Sequence, residues 1–316
     1  MDGHHYRNHS LVQAFVALQI IGGSAFVLVV LSAFVAQRRG GSRHPTFFSF
    51  CFSWIIFCIS YALLSFAGQQ VAVPGPDHGL CVVQAALVYA APPLAGSATV
   101  SLVTHLMLNV LSALSESPMK RRSSMMSVIL VLVPWITWVA VLVGVLLFGV
   151  HHPDLVGLSP NGTFCALVKT SLPKLTSVWA TIASTVLFSQ EVIVAVLLYR
   201  NRDIISGFGQ SIAMAIRIGV FTIMGIAAIA VALVFTVTEK RGVQFDVLLA
   251  SIPLSAAVIF GSQWDLLRVW MFWKPYDADS EPAQRSEHSV VLSTVDSSQT
   301  DLSAPRHLPS TDREPV

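Results

Sequence analysis

MMSVILVLVPWITWVAVLVGVLLF, residues 125–148, contains no Asp, Glu, Lys or Arg. At 1.5 Å per residue, a helix of this length covers about 36 Å, enough to cross the roughly 30 Å of hydrocarbon in a bilayer. Pro134 lies inside the run. A membrane helix tolerates such a residue because neighbouring helices re-satisfy the freed backbone groups. The stretch therefore reads as a transmembrane helix.

Six further runs are long and apolar, two of them with a single charged residue: Leu11–Val35, Thr46–Phe66, Leu80–Leu108, Leu175–Tyr199, Ile212–Phe235 and Val247–Trp264. The whole chain of 316 residues is 54% hydrophobic and only 11% charged, with a mean hydropathy of +0.68. A water-soluble domain carries about 25% charged residues. With less than half of that, most of the surface must face lipid, which excludes a cytosolic enzyme, a nucleic-acid binder and a disordered scaffold. Alternating ten-residue strands of the outer-membrane barrel type are absent from the sequence. The first run is too long for a signal-peptide core, and no small-residue cleavage site follows it. The expected fold class is an all-α integral membrane protein, a seven-transmembrane-helix bundle.

The net charge of +2 says less than the positions of the basic residues. One side of the expected bundle collects ten Lys and Arg, among them Arg38, Arg39, Arg121, Arg122, Arg200 and Arg202, against five on the other. Basic loops stay in the cytoplasm, so the N-terminus is expected outside and the C-terminus inside. Asn8-His9-Ser10 and Asn161-Gly162-Thr163 are N-glycosylation sequons, and both fall on the expected outer side.

Cys51 and Cys58 lie inside the second run and read as small packing residues. Cys81 opens the third run and Cys165 lies in the loop after the fourth, both on the expected outer side. An oxidising compartment lets such a pair persist, so a disulfide that ties this loop over the third helix is expected.

Seven helices, an outer N-terminus and a cysteine pair in these two places resemble the G-protein-coupled receptor architecture. The stretch GSQWDLLRVWMFWK, residues 261–274, is similar to a group of receptor-like seven-helix proteins of higher fungi. That resemblance implies plasma-membrane sensing of an extracellular ligand. Rhodopsin-like motifs are missing. The third run closes on HLMLNVLS, residues 105–112, without an acidic-Arg-aromatic triplet, and no Asn-Pro-x-x-Tyr occurs in the seventh. The seventh run also lacks the lysine that retinal would need.

Ionisable groups at membrane depth are costly and mark functional sites. His105, Glu191 and Arg217 fall about 10–13 Å above the basic interface, counting 1.5 Å per residue from the helix ends. They are expected to form an intramembrane latch, in which a Glu191–Arg217 pair with His105 or Asn109 holds the fifth and sixth helices together. A static buried pair, or an Arg217 that snorkels to the headgroups, is the plainer alternative. Asp265 and Arg268 share one helical face, and Leu266, Val269, Trp270 and Trp273 recur at helical spacing. That pattern fits either an interfacial helix or a longer seventh span.

The domain plan is a short outer N-terminus (1–10), the helical domain (11–274) and a tail (275–316). The tail is rich in Ser, Thr and Pro, and it is expected to be disordered and open to kinases. His4, His5 and His9 on a short terminus give no metal site.

A receptor that senses an extracellular ligand and signals to a heterotrimeric G protein is the expected function. Its other partners are the lipid bilayer and a kinase acting on the tail, with no nucleic acid, no cofactor and no enzymatic role. A small-solute transporter is the alternative, although spans one to three and five to seven show no clear repeat. An intramembrane hydrolase would need more clustered His and acidic residues than His105 with Glu191 supplies.

Overall fold

The structure is a computed structural model. It describes residues 9–38, 43–70, 75–114, 120–167, 170, 172–200 and 243–263, together with scattered positions between 216 and 230 and at 266 and 269. All of these belong to the unit Met1–Trp270. The described chain is mostly helical: α1 (His9–Arg38), α2 (Pro45–Phe66), α3 (His78–Leu114), α4 (Lys120–His151), α5 (Leu172–Arg200) and α6 (Val243–Gly261). The described positions between 216 and 230 are helical as well. Two short strands, β1 (Val156–Leu158) and β2 (Cys165–Leu167), interrupt the helices between α4 and α5.

Among the described residues, α1 to α5 each contain a segment long and apolar enough to cross a membrane. The apolar part of α6, Asp246–Gly261, is shorter, and the sixth expected run, Ile212–Phe235, lies largely outside the described residues. The tail from 275 onward and the N-terminus before His9 also lie outside them. Large apolar side chains such as Ile21, Leu31, Val128, Ile136, Leu147, Ile182 and Val258 are exposed along α1, α4, α5 and α6. In water such a surface would aggregate; against lipid tails it costs nothing. The protein is a membrane helical bundle.

Connections of a few residues make α1 to α4 alternate in direction, and the contacts of α5 with α3 and of the start of α6 with residues 161–163 orient the other two. One end of the bundle therefore gathers the close of α1, α3, α5 and α6 and the start of α2 and α4. Arg38 and Arg200 are exposed there, and it is called here the basic end. The other is the hairpin end.

On α1 the buried face runs through Val12, Phe15, Gln19, Gly22, Phe26, Val29 and Ala33. Their alternating three- and four-residue spacing makes one continuous seam along a helix. Gly22 lets α1 approach α6 closely: an added Cβ would lie 3.1 Å from both Leu254 N and Pro253 Cβ. At Gly23 it would meet Cys58 Cβ of α2 at the same distance, so α1 is wedged between α2 and α6. Below the glycines, Phe26 stacks on Trp54 at 6.1 Å, and Phe50 of α2 meets Phe260 of α6 at 4.6 Å. Cys51 and Cys58 are free and buried in this core, as expected of packing residues.

The ends of α2 are closed by specific chemistry. Pro45 takes the first helical position, where its missing N–H costs nothing, and the Nδ1 of His44 accepts the Thr46 N–H at 3.3 Å. At the far end Gln69 N donates to Leu64 O and Gly68 N to Ser65 O. Gly68 carries the positive φ of 68° that this Schellman cap needs.

Candidate functional site

At the basic end the side chains link the helices into a closed circuit. His44, at the head of α2, stacks its ring on His105 of α3, with centroids 3.6 Å apart and planes 20° from parallel. The neighbour of His105, Thr104, accepts from Gln190 Nε2 of α5 at 2.8 Å. The neighbour of Gln190, Glu191, accepts a hydrogen bond from the Thr222 hydroxyl in the segment 216–230. In that same segment Arg217 Nη2 donates to Ser262 O at the close of α6, at 3.0 Å. Gln263, next to Ser262, accepts from Arg43 Nη1, and Arg43 is the residue before His44. The circuit thus returns to its start. Two side links tie α4 to α2: His44 Nε2 lies 3.1 Å from Ser127 Oγ, and Trp135 Nε1 donates to Ser49 Oγ at 3.0 Å.

The residues expected as a latch all take part in this circuit, but not with each other. Among the described residues Glu191 and Arg217 form no ion pair; each has its own partner. The reason is axial position. Thr222 is five residues past Arg217, about 7.5 Å along a helix, and Glu191 stands level with Thr222. Arg217 lies nearer the basic end, where the last carbonyls of α6 carry partial negative charge that suits a guanidinium. His105 turns to His44 instead of Glu191, and Asn109 Nδ2 approaches its Nδ1 at 3.4 Å.

Several members were not legible as site residues from the sequence. Thr104, Gln190, Ser262 and Gln263 each adjoin another polar residue in apolar surroundings, and that adjacency was the available signal. His44 falls between the apolar runs Leu11–Val35 and Thr46–Phe66, although a residue just before Pro45 stands where a helix cap belongs.

His44 is the titratable group of the circuit that stands outside the spans. Burial holds its pKa below the ordinary 6.5. The Thr46 N–H can only donate, so Nδ1 must be bare and Nε2 carries the proton offered to Ser127.

The opposite end is closed by a device with no counterpart in the expected all-helical bundle. β1 and β2 pair antiparallel, Val156 with Leu167 and Leu158 with Cys165, around a turn in which Gly162 has a φ of 73°. Asn-Gly at 161–162 is the turn signal for such a hairpin. The expected disulfide is present: Cys81 and Cys165 are bonded, with Cα atoms 5.3 Å apart. The fully buried Gln84 of α3 accepts the Cys165 N–H at 2.9 Å and donates to Ser60 O and Tyr61 O of α2. Gln70 donates to the carbonyls of Gly162 and Thr163. Phe164 packs against Phe15 of α1 and Tyr61 of α2, with centroids 6.0 and 5.2 Å away. The hairpin is a plug set into the bundle.

Asn161 and Thr163 of the second sequon both donate to Asp246, the acidic residue in the first turn of α6. Asn8, Arg39 and Arg202 lie outside the described residues, as do the side chains of Arg121 and Arg122. Among the described residues no group of three or more His, Cys, Asp or Glu is placed to hold a metal ion. The chain matches no protein-family model, and no curated protein matches it in sequence. Fold and geometry therefore carry the functional reading.

Proposed function

We propose that this protein is a seven-helix cell-surface receptor of the plasma membrane, with its N-terminus outside and its C-terminus in the cytoplasm. An extracellular ligand acts at the hairpin end, and the basic end relays the change to a heterotrimeric G protein. Asn8 and Asn161 are its sequons for glycosylation, and the tail is a kinase substrate. It has no enzymatic role.

The observation that carries this reading is the closed circuit His44–His105, Thr104–Gln190, Glu191–Thr222, Arg217–Ser262 and Gln263–Arg43. A single interhelical hydrogen bond in a membrane is worth about 0.6 kcal/mol, and at most about 2. A handful in series is worth a few kcal/mol. That is the scale on which a ligand with a preference for one of two states shifts the population. A circuit of single hydrogen bonds, with no ion pair among the described residues, is thus suited to open and re-form, whereas a buried ion pair would resist. The disulfide-pinned hairpin gives the ligand a firm surface to act against.

The test is to cut one link. Thr222→Val removes the hydroxyl donated to Glu191 and keeps the shape of the side chain. Ligand-independent output through a G-protein reporter should rise. Unchanged basal and evoked output in this variant would count against the proposal.

A further inference from the structure

We infer that the stacked His44–His105 pair is a proton-sensitive joint, at which one proton taken up from the solution at the basic end releases the head of α2 from α3 and α4. The ring centroids are 3.6 Å apart, closer than any other ring pair described in this protein. Two imidazole rings stack this closely only while they are not both charged, because like charges at this range repel.

The hydrogen bonds of His44 make the pair sensitive to a single proton. Its Nδ1 faces two groups of Thr46, the N–H at 3.3 Å and the hydroxyl at 3.0 Å, and its Nε2 faces Ser127 Oγ at 3.1 Å. Protonation fills the Nδ1 lone pair and sets one donor against another, the Thr46 N–H. The Thr46 hydroxyl beside it can accept the new N–H, so what protonation removes outright is the cap of the Thr46 N–H, and the ring turns to relieve the donor–donor contact. In doing so it gives up the cap of α2, the stack on α3 and the link to α4 together.

Among the described residues, the surroundings offer an added proton no carboxylate. Arg43 precedes the ring, and its guanidinium lies 4.9 Å from the Phe47 ring centroid and donates to Gln263. α3 presents His105 and the neutral Asn109, and α4 presents the neutral Ser127. Glu191 of α5 is turned to Thr222. Among the described residues no carboxylate pairs with either ring. His44 is half-buried and precedes α2 at the basic end, outside the spans, so a proton from the solution can reach it.

The sign follows from linkage. Burial lowers the pKa of His44 from 6.5, so just below that pH the unfolded chain binds more protons than the native one. Stability is then full above the ordinary value and falls as pH drops through it. The consequence for signalling rests on the receptor reading, since His44 and Arg43 close the circuit; the structural consequence does not.

The full chain in lipid nanodiscs, followed by tryptophan fluorescence on heating at about pH 8 and about pH 5, separates the two. The wild-type midpoint should be lower at the acid pH by about 2–4 °C. His44→Asn keeps an oxygen to cap α2 but does not titrate, and it should abolish the fall. His105→Phe keeps a ring to stack and should reduce it. No fall in the wild type, or an equal fall in His44→Asn, overturns the joint. So does a ring-nitrogen NMR signal showing His44 Nδ1 already protonated at about pH 8. If the fall is present but signalling does not respond to cytoplasmic pH, the receptor reading fails and the joint stands.

Discussion

Asn161, in the turn of the β-hairpin, donates its side-chain amide to Asp246 Oδ2 at 2.9 Å, and Thr163 donates to the same oxygen at 3.0 Å. One carboxylate in the first turn of α6 thus holds both the glycan-acceptor nitrogen and the hydroxyl of a sequon. Asp246 and Thr163 are buried, Thr163 completely. Asp246→Ala leaves two donors without this acceptor, at a cost of about 1–3 kcal/mol for each one that stays buried. The variant should melt lower than the wild type. Glycan transfer must precede closure of this clasp, so occupancy at Asn161 should be partial in the wild type and higher in Asp246→Ala. Mass spectrometry of the released peptide reads it. Full occupancy in the wild type, with an unchanged melting midpoint in the variant, would contradict the clasp.

The Cys81–Cys165 bond spans 84 residues and fixes β2 to α3. Replacing both cysteines with Ser should cost about 2–5 kcal/mol. The loss should appear as a lower midpoint that reductant no longer changes, while reductant lowers the wild type. Cys51 and Cys58 are buried and should leave this comparison untouched. Equal midpoints for the two proteins would show that Gln84, Gln70 and Asp246 hold the hairpin without the bond.

Close approach of α1 to α6 depends on Gly22. Gly22→Leu must push against backbone at Leu254 and the ring of Pro253, and overpacking of this kind costs about 1–3 kcal/mol. Gly144 of α4 has nothing within 4 Å of a built Cβ, so Gly144→Leu is the matched control and should change stability by less than about 0.5 kcal/mol. Equal effects at the two positions would mean that α1 and α6 are not packed as described.

Much of the fold was legible in the sequence because lipid imposes a length. Five expected runs coincide with helices, yet each helix extends beyond its run; Leu80–Leu108, for example, lies within His78–Leu114. Most of the extensions begin at a polar or charged residue, such as Asn109 in α3, Lys120 in α4 and Arg200 in α5, where the apolar signal breaks while helix geometry continues. The hairpin escaped notice because its strands are three residues long, too short for an alternating pattern. The latch shows a different limit. Counting residues from helix ends gives the depths of Glu191 and Arg217 only to within a turn, and it says nothing about which way each points. A turn is about 5.4 Å, more than separates an ion pair from two separate hydrogen bonds. His105 stands out by its polarity within an apolar run, whereas its partner His44 lies between two runs, where a polar residue carries no signal.

The proposed topology, with the N-terminus outside, has its own check. An epitope at residue 1 should be stained on intact cells, and one at residue 316 only after permeabilisation. Staining of both on the same side would contradict an odd number of spans.

Association with a G protein tests the receptor reading most directly. The intact protein, purified in mild detergent with candidate Gα subunits, should bind one of them in a complex that a non-hydrolysable GTP analogue dissolves. Thr222→Val, with its circuit cut beside Glu191, should bind more strongly without ligand. No association with any Gα, together with solute flux in proteoliposomes, would contradict the account and identify a transporter instead.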